Sequence, residues 1–203
     1  MMKKQYENTI NLWAGAIAKS RPGNREENEA VMAYALHVVF FNLFVAFITI
    51  LISVLLGVLP AVAAAIIASG SLRIFTGGYH SPSPLVCLIL TAGLMNLYGF
   101  AAVALAGLLS IYQVILLLFV VMAACLFFIS KNAPIETPNK PIRQERRPGL
   151  KRKGLVVWLI WVITFCVLSI FNFDYYKEII IALGLGIANQ TFSISGALKN
   201  KNE

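Results

Sequence analysis

His80 and Cys87 stand seven residues apart in the stretch Arg73-Ile74-Phe75-Thr76-Gly77-Gly78-Tyr79-His80-Ser81-Pro82-Ser83-Pro84-Leu85-Val86-Cys87. A thiol and an imidazole are the parts of a cysteine peptidase. The thiolate attacks a carbonyl, and the imidazole takes its proton and later returns it to the leaving amine. On one straight helix, residues seven apart share a face but lie about 10 Å apart along the axis, too far for a hydrogen bond. Pro82 and Pro84 interrupt such a helix, so the chain can fold His80 back over the start of the next one.

The following helix is expected to begin with Ser83 as its N-cap and Pro84 as its first residue, a position that proline favours. Cys87 then falls in the first turn, where the helix N-terminus favours a thiolate. Gly77 and Gly78 give the chain freedom for a sharp approach and could present amides to a substrate carbonyl. The spacing alone also fits a hydrated loop histidine and a cysteine that only packs. His37 lies in an apolar stretch without a neighbouring nucleophile and reads as a packing or interface residue.

The elements that must hold this pair are helices in a bilayer. The 203 residues are 59% hydrophobic and only 13% charged, against about a quarter charged in soluble domains. Apolar runs cover roughly 33–59, 61–76, 85–108, 111–130, 155–171 and 178–198, most of them near the ~20 residues that span ~30 Å of hydrocarbon. No barrel-like alternation appears, so the backbone must satisfy its hydrogen bonds inside helices. The expected fold is all-α: one polytopic membrane domain over 1–203, with about six hydrophobic helices. The run 61–76 is the shortest and is either a short crossing or re-entrant.

Ahead of these, residues 3–19 place Tyr6, Ile10, Trp13 and Ile17 at the spacing of one helical face. The 1–22 segment therefore reads as an amphipathic helix lying on the membrane. Glu7, Asn8 and Asn11 interrupt any signal-like apolar core. Asn24 and Glu27 have the chemistry of an N-cap and N3 pair, and Pro60 is expected to close the first long segment. Four prolines in the basic loop 131–154 argue against a continuous helix there.

Charge sets the expected orientation. If all six segments cross, sixteen of the seventeen Lys and Arg residues share one side and Lys177 stands alone. That side is the cytoplasmic one, and it carries both termini, the 77–84 loop and the 131–154 loop. The net charge of +8 is thus a topology signal and gives no reason to invoke nucleic acid. Cys125 and Cys166 lie inside apolar runs, where a thiol is usually a small inert hydrophobe. Two histidines and no HExxH leave too few ligands for an intramembrane metalloprotease, and no cofactor is expected.

The arrangement Arg-x-Phe-x-Gly-Gly-x-His, then six residues and Cys, between the second and third apolar segments, resembles the accessory gene regulator B (AgrB) family. The likeness extends to length, the amphipathic start, the order of segments, and the stretch from Ala133-Pro134 to Lys140-Pro141. These are bacterial membrane endopeptidases of peptide quorum sensing. The resemblance implies Cys87 as nucleophile, His80 as its general base and acid, and substrate contact near Arg73, Gly77 and Gly78. It implies a small precursor peptide of the AgrD type as partner, with an amphipathic leader and an acidic tail that the 131–154 loop would suit. It also implies a homodimer, for which small residues in the third segment (Ala101, Ala102, Ala104, Ala106, Gly107) and in the last (Gly184, Gly186, Gly196) would allow close contact. Two other classes compete. A small transporter would want facing polar groups in the membrane, and these segments are nearly bare of charge. A lipid-headgroup enzyme would want a carboxylate cluster, and the nine acidic residues are scattered.

Overall fold

The computed structural model describes residues 2–20, 22–79, 83–136, 142–170 and 173–197. Among them are seven α-helices and no strand: α1 (Met2–Ala18), α2 (Arg25–Leu55), α3 (Leu59–Thr76), α4 (Pro84–Leu108), α5 (Ile111–Asn132), α6 (Arg147–Ile170) and α7 (Phe173–Ile194). Helices α2 to α5 are long and apolar enough to cross a membrane. The chain is a multi-pass helical membrane protein. Six crossings were expected; α6 and α7 are 24 and 22 residues long, and their crossing belongs to the proposal below. The doubtful 61–76 segment is part of one unbroken helix of 18 residues, about 27 Å long.

Residues 1–48 form one compact unit and 49–203 another. In the first, Ile10, Ala14 and Ala18 of α1, four residues apart, are buried, and aromatic side chains of α1 meet α2. The buried line differs from the expected apolar face. Of the expected face Ile10 is buried, whereas Tyr6, Trp13 and Ile17 remain more than 40% exposed. Trp13 leans on Phe40 with ring centroids 5.8 Å apart, and the Tyr6 hydroxyl lies 3.0 Å from Nδ1 of His37. His37 is therefore engaged in packing.

In the second unit, α3 and α7 are the central pair. One face of α3 is built from Ala61, Ala64, Ala65, Ala68, Leu72 and Thr76, all buried. Gly186 of α7 meets that face so closely that a Cβ would stand 2.3 Å from the Ala65 carbonyl oxygen. Small residues at the contact are what allow such an approach inside a bilayer. Gly184 likewise faces Leu118 of α5. These two glycines, expected at a contact between copies, serve packing within the chain.

Two boundaries differ from the sequence reading. Pro60 does not close α2; it is the second residue of α3, where its missing N–H is not needed. The stop is Gly57, at φ +70°. Its amide donates to Val54 and that of Val58 to Ser53, the paired closing bonds of a Schellman end. The basic 131–154 stretch also contains more helix than expected. A single 3-10 turn at Gln144–Arg146 leads into α6 at Arg147, because Pro148 sits at the tolerated second position. Asn24 does act as a cap: its Oδ1 accepts from the Glu26 amide at 3.0 Å.

Candidate active site

The Gly77–Tyr79 turn leaves the end of α3 through a gap that only glycine fits. Gly77 has φ +68° and Gly78 φ +144°, values that L side chains rarely adopt. A Cβ on Gly77 would stand 2.1 Å from the Ile135 carbonyl oxygen, and one on Gly78 would stand 2.5 Å from Oγ of Ser193. Both glycines are thus required twice, by conformation and by space.

Three helix ends are tied together here. The Ile135 amide donates to the Thr76 carbonyl at 2.9 Å, making a one-residue parallel bridge between Gly77 and Ile135. From α7, Gln190 Nε2 donates to Thr76 Oγ1 at 2.8 Å and to the Gly77 carbonyl at 2.7 Å. Ser193 Oγ accepts from the Tyr79 amide at 3.0 Å. From α5, Asn132 Nδ2 donates to the carbonyls of Ile194, the last residue of α7, and of Ser195 after it. The Gly77 amide donates to the Arg73 carbonyl, so it closes α3 and does not face outward as the sequence reading allowed.

Helix α4 supplies the thiol. Ser83 is its N-cap, with extended backbone, and Pro84 opens the first turn, as expected. The Cys87 amide donates to the Ser83 carbonyl at 3.0 Å, the first bond of the helix, and the residue is half-buried. The Arg73 guanidinium donates to the Tyr79 carbonyl and lies within electrostatic range of Cys87. The structure thus brings Arg73, Gly77, Gly78 and Cys87 to one end of the bundle. His80, with Ser81 and Pro82, lies outside the described residues, as does Lys140. Cys125 is fully buried, and Cys166 is exposed on a helix face remote in sequence from any histidine.

Beside the turn opens a cavity of about 400 Å³. Ile74, Phe75, Gly77, Ile135 and Leu150 give it apolar walls, and Arg143 and Arg146 add two cations. Arg147 next to them pairs with Glu136, and Lys151 Nζ donates to the Ser130 carbonyl. The basic segment is therefore folded against the end of α5 and reaches the glycine turn.

Sequence reasoning missed Thr76, Asn132, Gln190 and Ser193. The available signal was a glutamine with flanking Thr and Ser inside an otherwise apolar run, since an amide in a membrane helix needs partners.

No solved structure matches the chain. An AgrB-like protein of Clostridium perfringens strain SM101 is 28% identical over 130 residues, and AgrB-like protein 2 of Clostridium perfringens strain 13 is 27% identical over 130 residues. In each case the match covers 61% of this chain and 61% of the relative. The family model described as Accessory gene regulator B matches residues 10–194. On that match, which takes in α3, the glycine turn, α4 and the α7 residues that hold the turn, the chain belongs to the accessory gene regulator B family.

Proposed function

We propose that the protein is a membrane cysteine endopeptidase that matures a small precursor peptide for quorum sensing. The observation that carries this reading is the placement of Cys87: half-buried in the first turn of α4, at the end of the bundle that holds Arg73 and the glycine turn, from which His80 follows directly in the chain. In the proposed reaction His80 takes the thiol proton, and Cys87 Sγ attacks the carbonyl carbon of the scissile bond. The C–N bond breaks, His80 returns the proton to the departing amine, and the C-terminal tail leaves. The remaining acyl-enzyme thioester keeps enough free energy for ring closure without ATP, provided water is excluded. A Cys or Ser side chain of the peptide then attacks the thioester carbonyl, releases Cys87, and yields a thiolactone or lactone.

The cavity beside Gly77 suits the departing tail. Its apolar walls accept an extended chain, and Arg143 and Arg146 complement carboxylates. We place this end of the bundle, and both termini, on the cytoplasmic side of a bacterial cell membrane, because the cations collect there. All of α2 to α7 cross in this arrangement. A homodimer would use α4, where Gly93 and Gly107 have open space at the Cβ position.

The test is co-expression with the candidate precursor, a short open reading frame adjoining the gene. Cys87→Ala, Cys87→Ser and His80→Ala are expected to abolish processing, each about as completely as the double variant, because the pair acts as a unit. Cys125→Ala and Cys166→Ala are expected to retain it. A precursor lacking its internal Cys or Ser would leave a hydroxylamine-labile thioester on Cys87, visible by mass spectrometry. Normal processing by Cys87→Ala at unchanged membrane level would overturn the reading and favour a transporter.

A further inference from the structure

We infer that Gln190 and Ser193 of α7 are positioning residues for the peptidase site, acting through the Gly77–Tyr79 turn. The inference rests on the proposed dyad but on different residues. Gln190 is completely buried. An amide in such surroundings is costly unless hydrogen-bonded, and both of the bonds that its Nε2 donates go to the end of α3: to Thr76 Oγ1 and to the Gly77 carbonyl. Ser193 is three residues on, hence on the same face, and its hydroxyl takes the Tyr79 amide. The two side chains thus grip the backbone on either side of Gly78, immediately before His80.

Adhesion between α3 and α7 does not require this polarity. One turn earlier, the close approach of Gly186 to the Ala65 backbone already holds the same pair of helices, with a single long side-chain bond, Asn189 Nδ2 to Ser69 Oγ at 3.4 Å, beside it. What hydrogen bonds add is direction: they fix which carbonyl and which amide of the turn face α7. The grip is itself anchored. Asn132 ties the end of α7 to the end of α5, and Ile135, three residues further along, ties back to Thr76. The ring closes on the α3 end from two sides, so the turn cannot slide without breaking bonds to both α5 and α7. A histidine that must meet a thiol on a separate helix needs such a fixed departure point.

The experiment uses the full chain with Cys125→Ala and Cys166→Ala, so that Cys87 is the sole thiol. Gln190→Leu, Ser193→Ala, Thr76→Val and Thr76→Ser are compared with His80→Ala. Three properties are read: melting in detergent micelles, kcat and KM on the precursor, and the rate of Cys87 alkylation by iodoacetamide across pH. Gln190→Leu, Ser193→Ala and Thr76→Val are expected to lower kcat about a hundredfold with little change in KM. Their alkylation profiles should move to that of His80→Ala. Thr76→Ser keeps the hydroxyl that accepts from Gln190 and should keep the parental profile. If Gln190→Leu fails to accumulate, Ser193→Ala, which removes one oxygen, decides. A folded Gln190→Leu or Ser193→Ala with the parental alkylation profile, whatever its kcat, overturns the inference while leaving the dyad intact. An unchanged profile in His80→Ala overturns the dyad, and the inference with it.

Discussion

The two ends of α3 both turn on glycine, and they are built in opposite ways. At the N-terminal end, Gly57 closes α2 with φ +70° and has nothing within 4 Å of the place where a Cβ would stand. Leu55 and Leu56 beside it are largely exposed. At the C-terminal end, Gly77 and Gly78 are pressed against the Ile135 backbone and the Ser193 side chain. The Gly77 amide and carbonyl are taken up by Arg73 of α3 and Gln190 of α7, and Ile135 beyond α5 bonds the neighbouring Thr76 carbonyl. The first turn only reverses the chain, and local backbone bonds suffice for that. The second is also held by side chains of α7 and by the backbone beyond α5, which a reversal alone does not need.

The difference can be broken or sharpened experimentally. The largest effect is all-or-none and concerns sidedness. On a cysteine-free background in sealed cells, an impermeant thiol reagent should label Leu56→Cys and a cysteine at Lys177, and should miss cysteines placed in 77–84 and 131–154. External labelling of the basic stretch would refute the orientation. Next in size is Gly77→Ala. Its Cβ would meet backbone that cannot swing aside, and its φ is unfavourable, so a loss on the order of 3 kcal/mol is expected. Unfolding in micelles measures it, and a parent-like midpoint would show that the Ile135 contact yields.

Gly78→Ala should cost somewhat less, about 2 kcal/mol, because the obstructing atom belongs to a side chain. The double variant Gly78→Ala with Ser193→Ala should then be more stable than the sum of the single effects predicts. Strict additivity would mean that the two residues do not meet. The smallest effect belongs to Gly57→Ala: about 1 kcal/mol of left-handed strain, with precursor processing unchanged. A loss of processing at Gly57 would erase the distinction between the two turns.

How far the sequence could be read follows the same division. Apolar run length located each long helix, although α2 and α6 both start eight residues ahead of their runs, at Arg25 and Arg147, and α7 starts five ahead. Ser83 and Pro84 announced the start of α4 and with it the place of Cys87 in the first turn. Gly77 and Gly78 were legible as points of backbone freedom, as their positive φ values bear out, but the close approach of Ile135 and Ser193 was not. Pro60 was misread as a stop because a proline just inside a helix and one just beyond it look alike in a linear pattern.

The sequence by itself determined the class of molecule, its helices and the candidate pair His80 and Cys87, because all of these depend on composition or on neighbours a few residues away. Only the tertiary structure decided what holds the glycine turn. Gln190 and Ser193 lie more than a hundred residues from Gly77, and Asn132 more than fifty. Their hydrogen bonds form only after α3, α5 and α7 have packed, so nothing in the local pattern around the glycines records them.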